Sequence, residues 1–375
     1  MLPSSRTASL YVHVPFRLAP RAYDDAAYTS ESPAAVPPYL SALQREIEAS
    51  AAPLLSDTDI ESVFIGGGRP SLLPLEDVKQ LLTALPLASG ASSPDVTIEA
   101  SPADATPDYL TGLSALGVTR LSLSGLSFSP TVLRAVDAPH TAADVEQTIA
   151  AARTAGLDTV ALDLLFGMDG LSLETWDATL RRAVALDLPH VSIVEAASSA
   201  PEAIVADQME HALSLLGDAG YEHYSLTHFA RPGRPSAHQQ HHDRHGAVLG
   251  LGPSAASLWW TAPTAARAER WSNVEALSSY VERLERGASP TARHHVLDAD
   301  DLAREYILIR LRTREGLSLS VLQDDYDLDL RAAAGPFLDR LRAEGLAHDA
   351  PNRVRLTPRG RLLTDAITRR LLSLL

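Results

Sequence analysis

Short apolar runs alternate with longer amphipathic stretches through the first part of the chain. Residues 60–65 and 159–166 have the length and β-branched content of buried strands. A stretch between such runs places Leu40, Leu43 and Ile47 at helical spacing. Repeated strand–helix units predict a parallel sheet with right-handed crossovers. About six units fit an open, partial barrel better than a closed eight-stranded one.

The pattern changes twice in the last part of the chain. Residues 230–271 are interrupted by Pro, Gly and His, and helical spacing returns after Gly287. Two helices followed by a short hairpin near residues 345–357 are typical of a winged-helix module. We predict an α/β protein in three segments: a partial (β/α)6 TIM-like barrel over residues 1–230, an extension with a His-rich segment over 231–296, and a small winged-helix-like domain over 297–375.

Charge and hydropathy narrow the classes of partner. The formal net charge is −15, which argues against a nucleic-acid partner that is held through its phosphates. No apolar run reaches the roughly 18 residues of a membrane span, so we expect none. The first residues carry no apolar signal region, so a cytoplasmic location is expected.

The 375 residues contain no cysteine. This absence excludes disulfides, thiolate zinc sites and iron–sulfur clusters held by cysteine. The chain also has no P-loop, no Gly-x-Ser-x-Gly elbow and no His-Glu-x-x-His motif. It therefore shows no familiar catalytic constellation that stands on its own.

Several short motifs follow one another in a recognisable order. They are Tyr11-x-His13-x-Pro15-Phe16, Gly66-Gly67-Gly68-Arg69-Pro70-Ser71, Glu99-Ala100-Ser101-Pro102, Arg120-Leu121-Ser122, Asp163-Leu164-Leu165-Phe166-Gly167 and Gly250-x-Gly252-Pro253. Together they resemble the HemW/HemN family, the coproporphyrinogen-oxidase-like group of radical S-adenosylmethionine proteins. The resemblance covers nearly the whole chain and implies the barrel and the accessory C-terminal domain. By this resemblance, the ancestral activity of the family is that of an oxidoreductase.

In that family a Cys-x3-Cys-x2-Cys loop after the first strand holds a 4Fe–4S cluster. The matching positions here are Arg17, Arg21 and Asp24. Two guanidinium groups and a carboxylate cannot replace soft thiolates as ligands of the cluster. We therefore expect no 4Fe–4S cluster, and the missing ligands argue against catalysis.

The resemblance also implies contacts to S-adenosylmethionine. The positions of matching type are Tyr11, Gly67, Gly68, Glu99 and Asp163. The family's Gln and Arg in the same pocket correspond to Leu126 and Ala138, and its Thr after the glycines corresponds to Arg69. These losses leave retention of S-adenosylmethionine an open question.

Two of these features have alternative interpretations. The triple glycine either lets a ligand approach the backbone or forms a turn that needs positive φ. Glu99 and Asp163 either bind a ribose, amine or cation, or are neutralised by Arg17 or Arg21, because arginine suits the repair of a buried carboxylate.

A histidine-rich segment lies within the predicted extension. The residues at 238, 241, 242 and 245 are histidines, a spacing that on a helix would place four imidazoles on one face for a metal ion or haem. Only His238 matches a histidine of the family, and Gly246 follows at once, so a solvated polar loop is the favoured alternative. If haem binds, His238 is the candidate axial ligand.

The C-terminal arginines raise a further alternative. Winged helices can bind DNA, but acidic residues interleave with these arginines, so packing between domains is the favoured interpretation.

The expected function is haem or porphyrin handling without catalysis, with delivery to an acceptor protein. The alternative is an enzyme or regulatory pseudoenzyme that still binds S-adenosylmethionine or another nucleotide in the barrel.

Overall fold

The computed structural model describes residues 7–17, 33–87, 93–196, 200–262 and 266–375. Its strands are β1 (Thr7–Val14), β2 (Asp59–Gly67), β3 (Asp95–Ala100), β4 (Arg120–Leu126), β5 (Thr159–Phe166), β6 (His190–Glu195), β7 (Glu222–Ser225), β8 (His228–Ala230), β9 (Ala247–Leu251), β10 (Ala256–Ala262), β11 (Arg267–Asn273), β12 (Thr291–Leu297), β13 (Leu317–Ser318) and β14 (Arg353–Val354).

The helices lie between these strands and after them. They are α1 (Val36–Glu46), α2 (Ala52–Leu55), α3 (Leu75–Ala84), α4 (Pro107–Ala115), α5 (Pro130–Ala135), α6 (Ala142–Thr154), α7 (Leu173–Ala185), α8 (Glu202–Asp218), α9 (Ala237–Asp243), α10 (Leu277–Glu285), α11 (Ala299–Arg310), α12 (Leu319–Tyr326), α13 (Leu330–Ala343), α14 (Pro358–Arg361) and α15 (Thr364–Leu372).

The large sheet confirms the predicted partial TIM-like barrel. Strands β1 to β6 pair in parallel and in chain order, as repeated strand–helix units require. Strand β9 pairs in parallel with the free edge of β1, and β10, β11 and β12 continue the sheet beyond it in antiparallel fashion. The stretch from 230 to 271, whose sequence pattern loosens, thus supplies three strands of the barrel sheet.

Helix ends follow the signals that the sequence carries. Thr106 caps α4 by accepting a hydrogen bond from the backbone N–H of Tyr109. Thr141 and Asp144 form a reciprocal capping box at the start of α6. Both helices are followed by a glycine at positive φ, Gly117 at +88° and Gly156 at +82°.

The two faces of the barrel strands have different chemistry. Leu10, Val12 and Val14 are fully buried in the core that the outer helices form with the sheet. The alternate positions of β1 carry Tyr11 and His13, which contact each other and the neighbouring strand inside the barrel. The barrel interior is therefore polar and aromatic where the outer layer is aliphatic.

The C-terminal domain has a core of its own that continues onto the sheet. Helices α11 to α13 and α15 pack together, and β13 pairs with β14 beside a bridge between Ala347 and Leu356. The same apolar cluster includes Ala247, Trp260 and Ala268 of the barrel sheet. Packing between the domains, the favoured interpretation of this module, is confirmed. Among the described residues, no helix is long and apolar enough to cross a membrane.

Candidate functional site

The predicted ligand positions meet on the inner wall of the barrel. Tyr11 lies on β1, Gly67 ends β2 and Glu99 lies near the end of β3. Asp163 lies on β5, one strand beyond the Ser122 that is paired in register with Glu99. Parallel strands end at one rim of a barrel, so these residues lie toward the same end of the sheet.

An aromatic surface lines the wall next to these groups. The ring of Phe64 stacks on Tyr11 at 6.2 Å and lies 5.1 Å from the ring of His238 on α9. The rings of Tyr11 and His238 are 6.5 Å apart. Sequence reasoning missed Phe64, although its alternation with Ser62 along β2 places both on one face. We call Tyr11, Phe64 and His238 the aromatic wall.

His238 is held as a neutral imidazole. Its Nδ1 makes a 3.2 Å hydrogen bond with the Ser62 hydroxyl, which in turn contacts Ser9 at 2.8 Å. Burial, with a smaller contribution from His242 and His241, lowers the pKa of His238 to about 3. Its Nε2 makes no hydrogen bond to the described part of the chain. A neutral ring with one nitrogen fixed is the form in which histidine ligates a metal.

The neighbouring histidines have structural partners, and the predicted solvated loop is wrong. The segment forms the short helix α9, with His241 and His245 buried. His241 contacts Glu61 at 2.9 Å and the Ala247 carbonyl at 2.8 Å, so both ring nitrogens are engaged. His245 contacts Tyr326 and Glu305, which fixes the end of α9 to the C-terminal domain.

The helix nevertheless builds no metal site. Within the ranges that the structure describes, no three His, Asp or Glu side chains are placed to hold a metal ion. Buried histidines whose nitrogens bond to protein groups keep their ligating atoms occupied. The four-imidazole face that the spacing allowed is therefore not formed, and His242 is exposed to solvent instead.

The triple glycine packs tightly against its own chain. Gly67 has φ of +104°, and a Cβ there would lie 2.6 Å from the His13 ring. A Cβ on Gly68 would lie 2.4 Å from the Phe16 carbonyl oxygen. The Gly67 N–H donates to Glu99 at 3.1 Å, and the buried Arg17 donates to the Gly67 carbonyl at 3.3 Å. The glycines are thus required for the turn itself.

Asp163 is buried among polar groups of the barrel interior. It accepts a 3.1 Å hydrogen bond from Ser122 and another from Ser192, and the nearby cation is Arg120. Burial raises the pKa of Asp163 to about 6, and these three groups oppose that rise. Arg120 is therefore a cation that acts on Asp163, and the pairing of the barrel carboxylates with Arg17 or Arg21 stays a prediction. Of the three lost-cluster positions, Arg21 and Asp24 lie outside the described residues.

Three buried polar atoms of the barrel lack partners in the described part of the chain. They are Thr97 Oγ1, Arg120 Nη2 and His190 Nδ1. Thr97 is paired in register with Arg120, and the charge of Arg120 acts on His190. Buried polar groups are satisfied by protein, water or ligand, so this interior has hydrogen-bonding capacity to spare.

The two positions where the family has Gln and Arg come together in an apolar cluster. Leu126 is buried against Leu133, Val136 and Leu165, and the partly buried Ala138 packs on the same cluster. The two positions therefore belong to one apolar corner of the barrel. Side chains of this kind offer no hydrogen bond to a nucleotide.

The residues do not fit a 4Fe–4S cluster. Such a cluster takes thiolate ligands, and the chain has no cysteine at any position. Of the three positions that correspond to the cluster cysteines, the structure describes only Arg17, and its guanidinium group donates to the carbonyl of Gly67.

Comparisons with known proteins agree with this architecture. The model of the Radical SAM superfamily matches residues 31–183, and that of the HemN C-terminal domain matches residues 297–363. A Mycobacterium tuberculosis protein named Heme chaperone HemW is 32% identical over 97% of this chain and 94% of its own length. The Bacillus subtilis protein of the same name is 26% identical over 96% of this chain and 97% of its own length.

A solved structure supports the fold independently. Escherichia coli coproporphyrinogen III oxidase, HemN, superposes with a TM-score of 0.84 over 99% of this chain and 91% of that one, at 24% sequence identity. That likeness concerns the fold alone, whereas the sequence relatives establish descent. The chain belongs to the HemW/HemN-like family of the radical SAM superfamily.

Proposed function

We propose that this protein binds haem in the manner of a haem chaperone and does so without radical chemistry. The observation that carries the proposal is His238, a neutral imidazole whose Nε2 makes no bond to the described protein and whose ring lies beside Tyr11 and Phe64. The iron of haem takes an axial ligand, and the porphyrin around it needs an apolar or aromatic surface for its faces. Relatives named as haem chaperones supply the functional precedent.

The donor set argues against the family's other activity. Radical chemistry requires the cluster, and neither a cysteine nor the polar pair replaced by Leu126 and Ala138 remains. A haem-handling protein without a cluster would pass its cargo to an acceptor protein instead of modifying it. In this proposal the tetrapyrrole is cargo, and no residue of the chain acts on it covalently.

Haem titration of the His238→Ala variant tests the proposal. We expect the wild-type protein to bind one haem with a saturable shift of the Soret band, and the variant to lose that shift because it lacks the axial nitrogen. His242→Ala is the matched control, since His242 lies on the same helix but is exposed.

The outcomes separate clearly. Loss in His238→Ala with retention in His242→Ala assigns the ligand. Weak, non-saturable binding that both variants share would mean that haem only adheres to the surface, and the proposal would fail.

A second candidate is a small polar ligand, such as S-adenosylmethionine, in the barrel. The observation in its favour is the set of buried polar atoms without partners in the described chain, which lies near Asp163. We expect calorimetry with S-adenosylmethionine to show saturable binding that Asp163→Asn weakens about tenfold, because one charged hydrogen-bonding group is lost. Asp177→Asn, on the outer helix α7, should leave binding unchanged. Absence of heat with the wild-type protein would remove this candidate.

A further inference from the structure

A concave basic surface lies at the seam between the barrel and the C-terminal domain. It is an open cleft of ≈ 510 Å³ whose barrel side comes from α8 and β7 and whose other side comes from the C-terminal hairpin and α14. We call it the seam cleft. Its lining includes four arginines and two histidines, which are Arg314, Arg355, Arg359, Arg361, His223 and His348.

The guanidinium groups in the seam cleft are crowded. Burial, and then the charges of Arg355 and Arg314, lowers the pKa of Arg361 to about 10. Cations whose charges act on one another in this way raise the free energy of the empty cleft, and an anion between them would relieve the repulsion. This crowding is local, because the protein as a whole carries a net charge of −15.

Acidic neighbours cancel only part of this charge. Glu222 forms an ion pair with Arg314, Glu315 acts on Arg361, and Glu210 contributes to the cleft lining. Arg355 and Arg359 are exposed and form no ion pair with the residues that the structure describes. Two guanidinium groups are therefore available to a ligand.

Arg361 is fixed in place by the barrel. Its Nη1 donates to the His223 ring at 2.6 Å and to the His223 carbonyl at 2.8 Å, while the other ring nitrogen of His223 contacts the Leu226 carbonyl at 2.8 Å. Burial and the charge of Arg361 lower the pKa of His223 to about 3, so His223 stays neutral and accepts from Arg361. The cation is thus positioned before any ligand arrives.

We propose that the seam cleft binds a small polyanion, one that bears at least two phosphate or carboxylate groups. Arginine forks match both groups with paired hydrogen bonds. Leu213, Leu356 and Leu362 line the same cleft, so it also has room for an apolar part of the ligand. Since opposite sides of the cleft come from the two domains, the bound anion would hold the domains together.

The proposal is independent of haem binding and is tested with two simple anions. Calorimetric titrations at fixed ionic strength use pyrophosphate in one arm and citrate in the other. The test variant is Arg355→Gln/Arg359→Gln, whose side chains hold no ion pair that the fold needs. The control is Arg340→Gln/Arg369→Gln, which removes the same charge from exposed positions of the same domain outside the cleft.

We expect saturable binding of at least one anion by the wild-type protein and by the control variant. The cleft variant should bind at least about tenfold more weakly, because each lost contact is charge-assisted. The tighter of the two anions then tells whether phosphate or carboxylate is the preferred group. No saturable binding of either anion, or equal weakening in both double variants, would overturn the proposal.

Discussion

Replacing Arg69 with alanine is expected to destabilise the protein by about 3–5 kcal/mol, because it leaves a shielded carboxylate without its cation. Arg69 is buried and donates two parallel hydrogen bonds to the Asp104 carboxylate, one from Nε and one from Nη2 at 2.6 Å. Ser71 donates to the same carboxylate at 2.8 Å but carries no charge to balance it. The free energy of unfolding in denaturant measures the loss.

A second bidentate pair serves as the control. Arg182 holds Glu146 with two hydrogen bonds of 2.7 Å, but this pair is on the outer surface. We expect Arg182→Ala to cost less than about 1 kcal/mol, since water replaces the lost partner. Adding Asp104→Asn to Arg69→Ala should recover part of the loss by removing the uncompensated charge. Equal losses from Arg69→Ala and Arg182→Ala would show that burial is not the cause.

Arg69 departs from the family pattern but has a definite partner in the structure. By sequence, this position is one where the chain departs from the family's threonine, and the departure indicates erosion of the nucleotide pocket. In the structure, Arg69 and Asp104 form a shielded ion pair beside the triple glycine. The loop thus has a charged pair within the chain, and Leu126 and Ala138 lie in an apolar cluster.

Local patterns predicted most of the fold, and distant pairings accounted for the rest. Strand β5 and the capped helices α4 and α6 follow from apolar runs and from Thr106 and Thr141, all of which act within a few residues. Strands β9 to β12 were not predicted because the edge of β1 that they extend is more than 200 residues away in the chain. Proline and glycine in that stretch mark turns between strands.

In the candidate site, too, local patterns predicted some features, and contacts between distant residues decided the others. Glu99 and Asp163 could be placed at one rim because parallel strands end together. The influence of Arg120 on Asp163 could not be predicted because the two residues lie on neighbouring strands, and strand register is not visible in one sequence. His241 and His245 were assigned to a solvated loop because their buried partners are contributed by other elements.

Glu46 is the second residue whose loss should be severe. We expect Glu46→Ala to lower the free energy of unfolding by about 3–5 kcal/mol, because several buried donors lose their acceptor. Its carboxylate accepts from the Tyr280 hydroxyl and the Asn273 amide, each at 2.6 Å, and from the Gly252 N–H at 2.8 Å. These contacts join α1 to β11, α10 and the turn after β9. Glu48 is exposed and lies two residues further along the chain, so Glu48→Ala should lower the free energy of unfolding by less than about 0.5 kcal/mol.

Glu46→Gln removes the charge and keeps one acceptor oxygen. The Asn273 amide donates to one carboxylate oxygen and the Tyr280 hydroxyl and Gly252 N–H donate to the other, so the glutamine NH2 would face a donor on one side. Burial raises the pKa of Glu46 above its ordinary value against the effect of its three hydrogen bonds, so the ionised form is the costly one in the folded state. Because the pKa of Glu46 is higher in the folded than in the unfolded protein, its contribution to stability is fully present below the unfolded pKa. That contribution is lost as pH rises through the folded pKa. We therefore expect Glu46→Gln to be milder than Glu46→Ala at neutral pH, because one acceptor oxygen remains, and to reduce the fall in stability as pH rises above the ordinary glutamate value of 4.5. A glutamine variant as unstable as the alanine variant would mean that both acceptor oxygens of the carboxylate are needed to hold α1 to the extension of the barrel sheet.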